Sequence, residues 1–523
     1  MANKLDSNEI ATLITLVEEA ARSTEQGVRH FVEPAPGTLR RAISRRHHVV
    51  FGRRGSGKSS LLRKAGADLT VDRRPIALVN LEAFKGHSYP DVLLSVLIAT
   101  FKEFKDWMDS AAIHPANRTS FWKKLFGTTP TRSSYNRKAV AALSDTLSSQ
   151  IQQLTDELHR TDDAELKVTS ETAAGSTSDS GAKLTGSVPG TPVGIDVHAA
   201  SRKSEDKRDA VEEQFRRSKI DFLHRHILDY QDLFGSLASL SGGDAFLFLD
   251  DLYHIRRADQ AHVVDYFHRV AKDHSLWLKV GTIRHRTRWY IHGDPPLGMK
   301  LGDDADEIDL DLTLEKYSLA KEFLVRILTN FSETANAAPI SSFLTAGALD
   351  RLVLASGGVA RDFLSIFRRS VTVARERGGG HRGDRVGAED VNVAAGEYDT
   401  SKREEFKRDT LDDNMTLEEE FQRLRAFCLD RNNVNCFLLD KDAHGREIDL
   451  IHELVDLKLV HLVRSRVTIS GLPGRIHEAY MLDLSQYAGA RKRRKLNMIE
   501  FWKTSSKEAL RRSSLVYEPV MFS

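Results

Sequence analysis

Phe51-Gly52-Arg53-Arg54-Gly55-Ser56-Gly57-Lys58-Ser59-Ser60 fits the pattern G-x-x-x-x-G-K-[ST], a glycine-rich loop whose backbone N–H groups cradle phosphate oxygens. It follows a strand-like run, His48-Val49-Val50-Phe51, and precedes a helix-like one, Ser60-Leu61-Leu62-Arg63-Lys64. Gly52, Gly55 and Gly57 let the backbone turn through conformations closed to larger residues and approach phosphate closely, while the helix N-terminus adds partial positive charge. Lys58 is expected to reach the β- and γ-phosphates of a nucleotide and the Ser59 hydroxyl to ligate Mg²⁺. Ser56 completes the loop, and Ser60 opens the helix that packs behind it. ATP with Mg²⁺ is the expected ligand.

A second segment supports this reading. Ala245-Phe246-Leu247-Phe248-Leu249-Asp250-Asp251 is a buried-strand run ending in two carboxylates, as expected where a parallel sheet delivers a metal-binding acid to its carboxyl edge. Asp250 is expected to hold Mg²⁺ through water, and Asp251 to orient or polarise the attacking water.

The 523 residues are enough for about two to four domains, and 41% hydrophobic with 29% charged residues is a globular composition. A net charge of +2 means that any nucleic-acid contact must come from a local patch. Two cysteines, Cys428 and Cys436, form no disulfide framework, which favours a reduced intracellular setting. No run of about 18 apolar residues is present, and Met1-Ala2-Asn3-Lys4-Leu5-Asp6 lacks a signal-peptide core. The expectation is a cytoplasmic protein without a membrane span. The 20 histidines show no zinc-site spacing with cysteine.

The chain divides by pattern. Residues 1–38 read as an N-terminal helical segment whose stripe Ile10, Leu13, Ile14 and Val17 should dock on the following domain. Residues 39–84 and 241–312 carry five strand-like runs: His48–Phe51, Pro75–Leu81, the run ending at Asp250, Leu276–Thr282 and Glu307–Leu312. Strands alternating with helices in this order make a parallel sheet covered on both faces. Residues 85–240 read as a helical-hairpin insertion, from the stripes Leu143, Leu147, Ile151, Leu154, Leu158 and Val211, Phe215, Phe222, Leu223, Ile227, Tyr230, Phe234. Its tip, 162–206, is rich in small and polar residues, with brief alternation at Glu165–Val168 and Val193–Val197, and reads as a mobile loop or short β-hairpin. The insertion is either a spacer or an arm for a protein partner or for self-association.

Residues 313–400 read as a helical lid, in which Ser356-Gly357-Gly358-Val359-Ala360-Arg361 is a Gly-Gly turn opening a helix whose first turn carries an arginine. Such an arginine can swing toward a γ-phosphate in a neighbouring domain. Residues 415–486 have the outline of a winged helix: a helix, a strand at Cys436–Leu439, a helix at Arg446–Leu457, then strands at Val460–Val463, Val467–Ser470 and Glu478–Leu484. The second helix carries Glu447, Asp449, Glu453 and Asp456 on its polar positions, which phosphates would repel. Positive charge lies on Arg464, Arg466 and Arg475 of the wing and in the basic tail, 487–523, with Arg491-Lys492-Arg493-Arg494-Lys495, Lys503, Lys507, Arg511 and Arg512. These point to a nucleic acid, DNA first, as partner. Arg284–His292, basic residues interleaved with aromatics beside the nucleotide edge, could stack on nucleic acid or lend an arginine to a neighbouring subunit in a homo-oligomer.

The order of these motifs resembles that of AAA+ ATPases, most closely the branch of origin-recognition and Cdc-six-like initiators, with STAND-type switch ATPases as relatives. The resemblance spans about 40–84, 244–400 and, more weakly, 415–486. It implies an α/β P-loop NTPase sheet with helical lid, long helical insertion and C-terminal winged-helix-like domain. By the same resemblance Lys58 and Ser59 are the phosphate and metal contacts, Asp250 the metal carboxylate, Asp251 the water-polarising acid, Thr282 the first sensor and Arg361 the second. Many such proteins carry Asp-Glu where this chain has Asp250-Asp251, which implies slow hydrolysis or a switch-like cycle. The implied function is ATP-dependent control of nucleic-acid binding or assembly; the alternative is a STAND-like switch acting through protein partners.

Overall fold

The computed structural model describes residues 4–20, 26–71, 73–109, 136–178, 214–240, 242–378, 384–409, 414–442, 446–469, 474–488, 496–503 and 508–518. Five parallel strands, β1 (His48–Phe51), β2 (Ile76–Asn80), β3 (Ala245–Asp250), β4 (Leu276–Thr282) and β7 (Asp306–Asp309), lie in the order β2-β3-β4-β1-β7. Strands β1 and β3 are buried along their whole length, so both are continuous apolar runs, whereas the edge strand β2 alternates. Helix Lys58–Val71 covers one face, where Leu61 and Leu62 meet Phe246, Phe248 and Ile308. Helices Asp91–Trp107, Ile227–Leu240 and Gln260–Ala271 cover the other. The phosphate loop, Asn80, Asp251 and Thr282 therefore all emerge at one carboxyl edge, where open α/β sheets bind ligands.

A small antiparallel pair, β5 (Tyr290–Ile291) with β6 (Leu297–Gly298), follows β4. The segment Arg284–His292, read as a loop, thus ends in a strand. The interval 85–240 also differs from its reading as a projecting hairpin. Helix Asp91–Trp107 packs on β2 and buries Val92 through Ile98 on all sides, and Ile227–Leu240 packs on β3 and β4, so both belong to the core. Helix Arg137–Ser178 and helical residues 214–225 run beside each other, pinned by Lys219 Nζ, which donates to the Leu158 carbonyl at 3.0 Å and to Asp91 Oδ1 at 2.9 Å. At 42 residues, helix Arg137–Ser178 is about 63 Å long. Glu165–Val168 lies inside this helix; four alternating residues are too few to outweigh a helical stripe. Val193–Val197 lies outside the described residues.

The N-terminal helix Asn8–Ala20 buries Ile10, Leu13 and Val17 against lid helices Tyr317–Thr334 and Ala360–Arg377. Its stripe docks on the lid and not on the domain that follows it in sequence. Lid and winged segment share one apolar core. In the latter, β8 (Cys436–Asp440), β9 (Val460–Thr468) and β10 (Ile476–Leu482) form an antiparallel sheet ordered β8-β10-β9. The two runs read at 460–463 and 467–470 meet in one strand that ends at Thr468, Ser470 lying outside the described residues: Arg464, Ser465 and Arg466 interrupt the apolar pattern because this edge strand is partly solvated. Described parts of the basic tail fold back, burying Ile499, Phe501, Leu510, Leu515 and Tyr517, and the Tyr517 N–H donates to the Leu438 carbonyl at 2.8 Å. Arg491–Lys495 lie outside the described residues. Among the described residues no helix is long and apolar enough to cross a membrane.

A buried polar layer joins lid to winged segment. Lys402 Nζ lies 2.6 Å and His461 Nε2 2.9 Å from Asp483 Oδ2, and Lys458 Nζ lies 3.1 Å from Asp362 Oδ1. Burial opposes the charge on Asp483, but Lys402 and His461 outweigh it and hold this carboxyl far below the ordinary range. Removing one partner from such a layer leaves an uncompensated buried charge, a loss of about 3–5 kcal/mol.

Candidate nucleotide site

The phosphate loop takes the backbone that its glycines allow. Gly55 and Gly57 sit at φ +89° and +102°, and a Cβ on Gly52 would run into the Ser56 hydroxyl. Lys58 Nζ donates to the Gly52 carbonyl at 3.0 Å and stands 3.9 Å from Asp251 Oδ1. Burial pushes the Lys58 ammonium pKa down, against the pull of Asp251 and Asp250. An arriving phosphate would replace the carbonyl with a far stronger partner.

Asp250 is buried beside the Ser59 hydroxyl, which bonds it, and its Oδ1 has no hydrogen-bond partner. Gly281 on the neighbouring strand makes room: a Cβ there would stand 2.7 Å from Asp250 Oδ1. Burial first, then the Asp251 charge, pushes the Asp250 carboxyl up to about 6. A buried carboxylate oxygen lacking a partner, next to a hydroxyl, fits a hard divalent cation such as Mg²⁺. Asp251 holds a left-handed backbone, φ 59° and ψ 45°, a strain of about 1–3 kcal/mol of the kind that gathers at functional sites.

Lys58, Ser59, Ser60 and Asp251 line one cavity with Arg54, Gly55, Ser56 and Gly57. Arg361 closes it from the lid, and its backbone N–H donates to the Gly55 carbonyl at 3.2 Å. Thr282 is placed differently. It is fully buried, its carbonyl accepts from the Gly52 N–H at 3.2 Å, and its hydroxyl pairs with Thr287, so the structure ties it to the base of the loop and not to the cavity wall.

Several wall residues escaped the sequence reading. Val28, Phe31, Val32 and Pro34 of the N-terminal segment and Phe323, Ile327 and Phe331 of the lid also line the cavity, an apolar lining of the kind that takes a planar base. The signal was the apolar cluster at the Phe31–Pro36 break. Glu82, Tyr253 and His254 also line the cavity. Arg53 is the other omission: its N–H meets both Asp311 carboxylate oxygens at 3.0 and 3.1 Å, and its Nη2 reaches the Gly357 carbonyl at 2.9 Å. Gly357 and Gly358 sit at φ +57° and +84°; a Cβ on the first would strike the His461 ring and on the second the Leu312 carbonyl. The Gly-Gly turn is thus wedged between core and winged segment.

Arg284–His292 and the acidic helix meet each other. Arg284 lies over the Phe51 ring at 4.0 Å and pairs with Glu307 at 3.1 Å and Asp309 at 3.4 Å. His285 stacks on His452 at 4.8 Å. Asp456 is buried near Asp311, Arg53 and Arg286; burial and then Asp311 push its carboxyl up to about 7. Glu453 stands 4.0 Å from Arg257. Helix Arg446–Asp456 therefore turns Asp456 and Glu453 toward arginines beside the sheet's carboxyl edge and occupies part of the Arg284–His292 segment. Among the described wing and tail cations Arg466, Arg475, Lys503, Arg511 and Arg512 are exposed; Arg475 lies 3.6 Å from Asp440 and Lys503 pairs with Glu500.

Among solved structures, the chain is similar to the ORC1 protein of Aeropyrum pernix, described in complex with DNA, at 15% identity over 90% of this chain and 88% of that chain, TM-score 0.32. It is also similar to a Walker-type ATPase of Pyrococcus abyssi, at 12% identity over 86% of this chain and 93% of that chain, TM-score 0.38. No protein-family model and no curated protein matches. Superpositions this loose carry no functional argument, so the reading rests on the geometry: an α/β P-loop NTPase fold with a helical lid, a long helical insertion and a C-terminal winged-helix-like domain.

Proposed function

We propose that this chain binds ATP and hydrolyses it slowly, and that nucleotide state sets how the lid and winged segment sit on the core, controlling nucleic-acid binding or assembly. The observation that carries this reading is the convergence of Lys58, Ser59, Asp251 and Arg361 on one cavity, with the lid hydrogen-bonded directly to the phosphate loop. Lys58 and the loop N–H groups grip the β- and γ-phosphates. Ser59 and Asp250 would hold Mg²⁺, which supplies charge neutralisation at the phosphate oxygens. Asp251 orients the attacking water, and Arg361 reads the γ-phosphate from the lid. Thr282 receives no phosphate contact in this reading.

The exposed Arg466, Arg475, Arg511 and Arg512 support contact with a nucleic-acid backbone through wing and tail. ATP turnover measured with DNA, with RNA and without either, at graded salt, tests this: stimulation that fades with salt is expected. Salt-insensitive binding, unchanged by charge removal at these arginines, would refute it.

A STAND-like switch working through protein partners is the second reading. Its support is the docking of helix Arg446–Asp456 on the core through Asp456 and Glu453, a closed arrangement that nucleotide exchange could release. Nucleic-acid stimulation of turnover, together with intact assembly after deletion of residues 162–206, would sink that alternative.

A further inference from the structure

The phosphate end of the cavity holds a second carboxylate. Strand β2 ends at Asn80, which is paired in register with Asp250 of β3, so the turn Leu81–Phe84 packs beside the turn Leu252–His254. Asn80 Oδ1 accepts the Glu82 N–H at 3.0 Å and buried Leu81 anchors the turn. The Glu82 side chain thereby joins the same wall as Lys58, Ser59, Asp251, Tyr253 and His254. Its carboxylate stands 4.0 Å from His254 Nε2.

The two acids differ in reach and company. Asp251 is one methylene shorter, and its carboxylate faces Lys58 at 3.9 Å, a cation that must turn to the phosphates. Glu82 comes from the next strand, keeps about half of its side chain exposed, and is free to follow a water arriving from solvent. A base for this reaction has to be an accessible carboxylate held near the phosphate end, with a neighbour that fixes its direction. Glu82 meets the first condition, and His254 Nε2, 4.0 Å away, comes within hydrogen-bond reach on a small side-chain rotation to meet the second.

We propose that Glu82 is a catalytic base for ATP hydrolysis and that His254 is its positioning residue. This rests on the reading that ATP is hydrolysed in this cavity. In the step, the water oxygen bonds to the γ-phosphorus, the bond from that phosphorus to the bridging oxygen breaks, and ADP leaves with the electron pair. The water's proton passes to the Glu82 carboxylate, which then releases it to solvent. Asp251 orients the same water from the Lys58 side, so the chain's Asp-Asp pair works with a third acid.

The test measures ATP affinity and single-turnover hydrolysis for wild type, Lys58→Ala, Glu82→Gln, Glu82→Asp, His254→Gln and Asp251→Asn. Glu82→Gln should bind ATP within about threefold of wild type and hydrolyse it slower by about 10²-fold or more. Glu82→Asp should recover part of the rate, and His254→Gln should lose less than Glu82→Gln. A wild-type single-turnover rate in Glu82→Gln beside a dead Asp251→Asn would overturn the proposal and leave the site intact, as would Glu82→Gln losing ATP affinity while its melting temperature stays that of wild type. Undiminished ATP binding by Lys58→Ala, or a wild type that binds without turnover, would instead break the underlying reading. A Glu82→Gln that fails to fold hands the decision to Glu82→Asp, which must then show a lowered rate at wild-type affinity.

Discussion

Arg53 Nη2 donates to the Gly357 carbonyl oxygen across 2.9 Å, bonding a residue of the phosphate loop to the turn that opens the lid helix. The same guanidinium meets Asp311 through Nε at 3.2 Å. Arg53→Ala should leave ATP affinity nearly unchanged, since Arg53 is not part of the cavity wall. It should destabilise the protein by about 2 kcal/mol, as expected for hydrogen bonds to a charged group. Limited proteolysis with and without ATP should lose its nucleotide dependence in the variant; a wild-type pattern would show that the loop does not communicate through this arginine.

Lys58→Ala should abolish tight ATP binding, because it removes the buried ammonium that lines the cavity between the loop and Asp251. Asp251→Asn should retain binding and lose turnover. Titration with a fluorescent ATP analogue, paired with phosphate release, separates the two.

Acidification should weaken the fold through its buried histidines. His47 and His48 are buried, and burial pushes their imidazoles down to about 4 and about 3, while burial also lowers His461. Neutral rings are what the contacts require: His47 Nδ1 accepts the Leu278 N–H at 3.1 Å and His48 Nδ1 faces Lys279 Nζ at 3.0 Å. With the folded value below the unfolded one, the unfolded chain takes up protons first. Their contribution is complete above about pH 6.5 and declines as pH falls, by about 2 kcal/mol at pH 5 for each of His47 and His48. Urea midpoints at pH 7.5 and pH 5 check this, and His47→Gln should flatten the slope.

Gly357→Ala should cost about 2 kcal/mol or more, because the new methyl both meets the His461 ring and must adopt a left-handed backbone. In a His461→Ala background the added cost should shrink to the backbone part. Thermal melts of the four variants form the cycle, and strict additivity would contradict the contact.

Strands β1, β3 and β4 were legible nearly to the residue because their runs are apolar on both faces and bounded by the turns that chemistry demands. The glycine-rich loop that lines the cavity was legible because a phosphate-binding pattern dictates residue type and spacing. Arg53 and Arg54 fill positions that the pattern leaves open, so sequence gave no hint that Arg53 reaches Asp311 and Gly357, residues more than two hundred positions away. Helix Asp91–Trp107 went unnoticed as a core element because it falls at the start of the interval 85–240, which reads in sequence as one helical insertion. The acidic face of Arg446–Asp456 was read against an imagined phosphate backbone, when its counter-charges are Arg53, Arg257 and Arg286 of the core. Long-range ion pairs leave no local period.

The layer of Lys402, Asp483, His461, Lys458 and Asp362 fastens lid to wing. With that weld in place, lid and wing would turn as one piece about the point where Arg361 touches Gly55, and any tilt there would reach the exposed Arg466, whose neighbour Ser465 is itself bonded to Glu315 at the start of the lid.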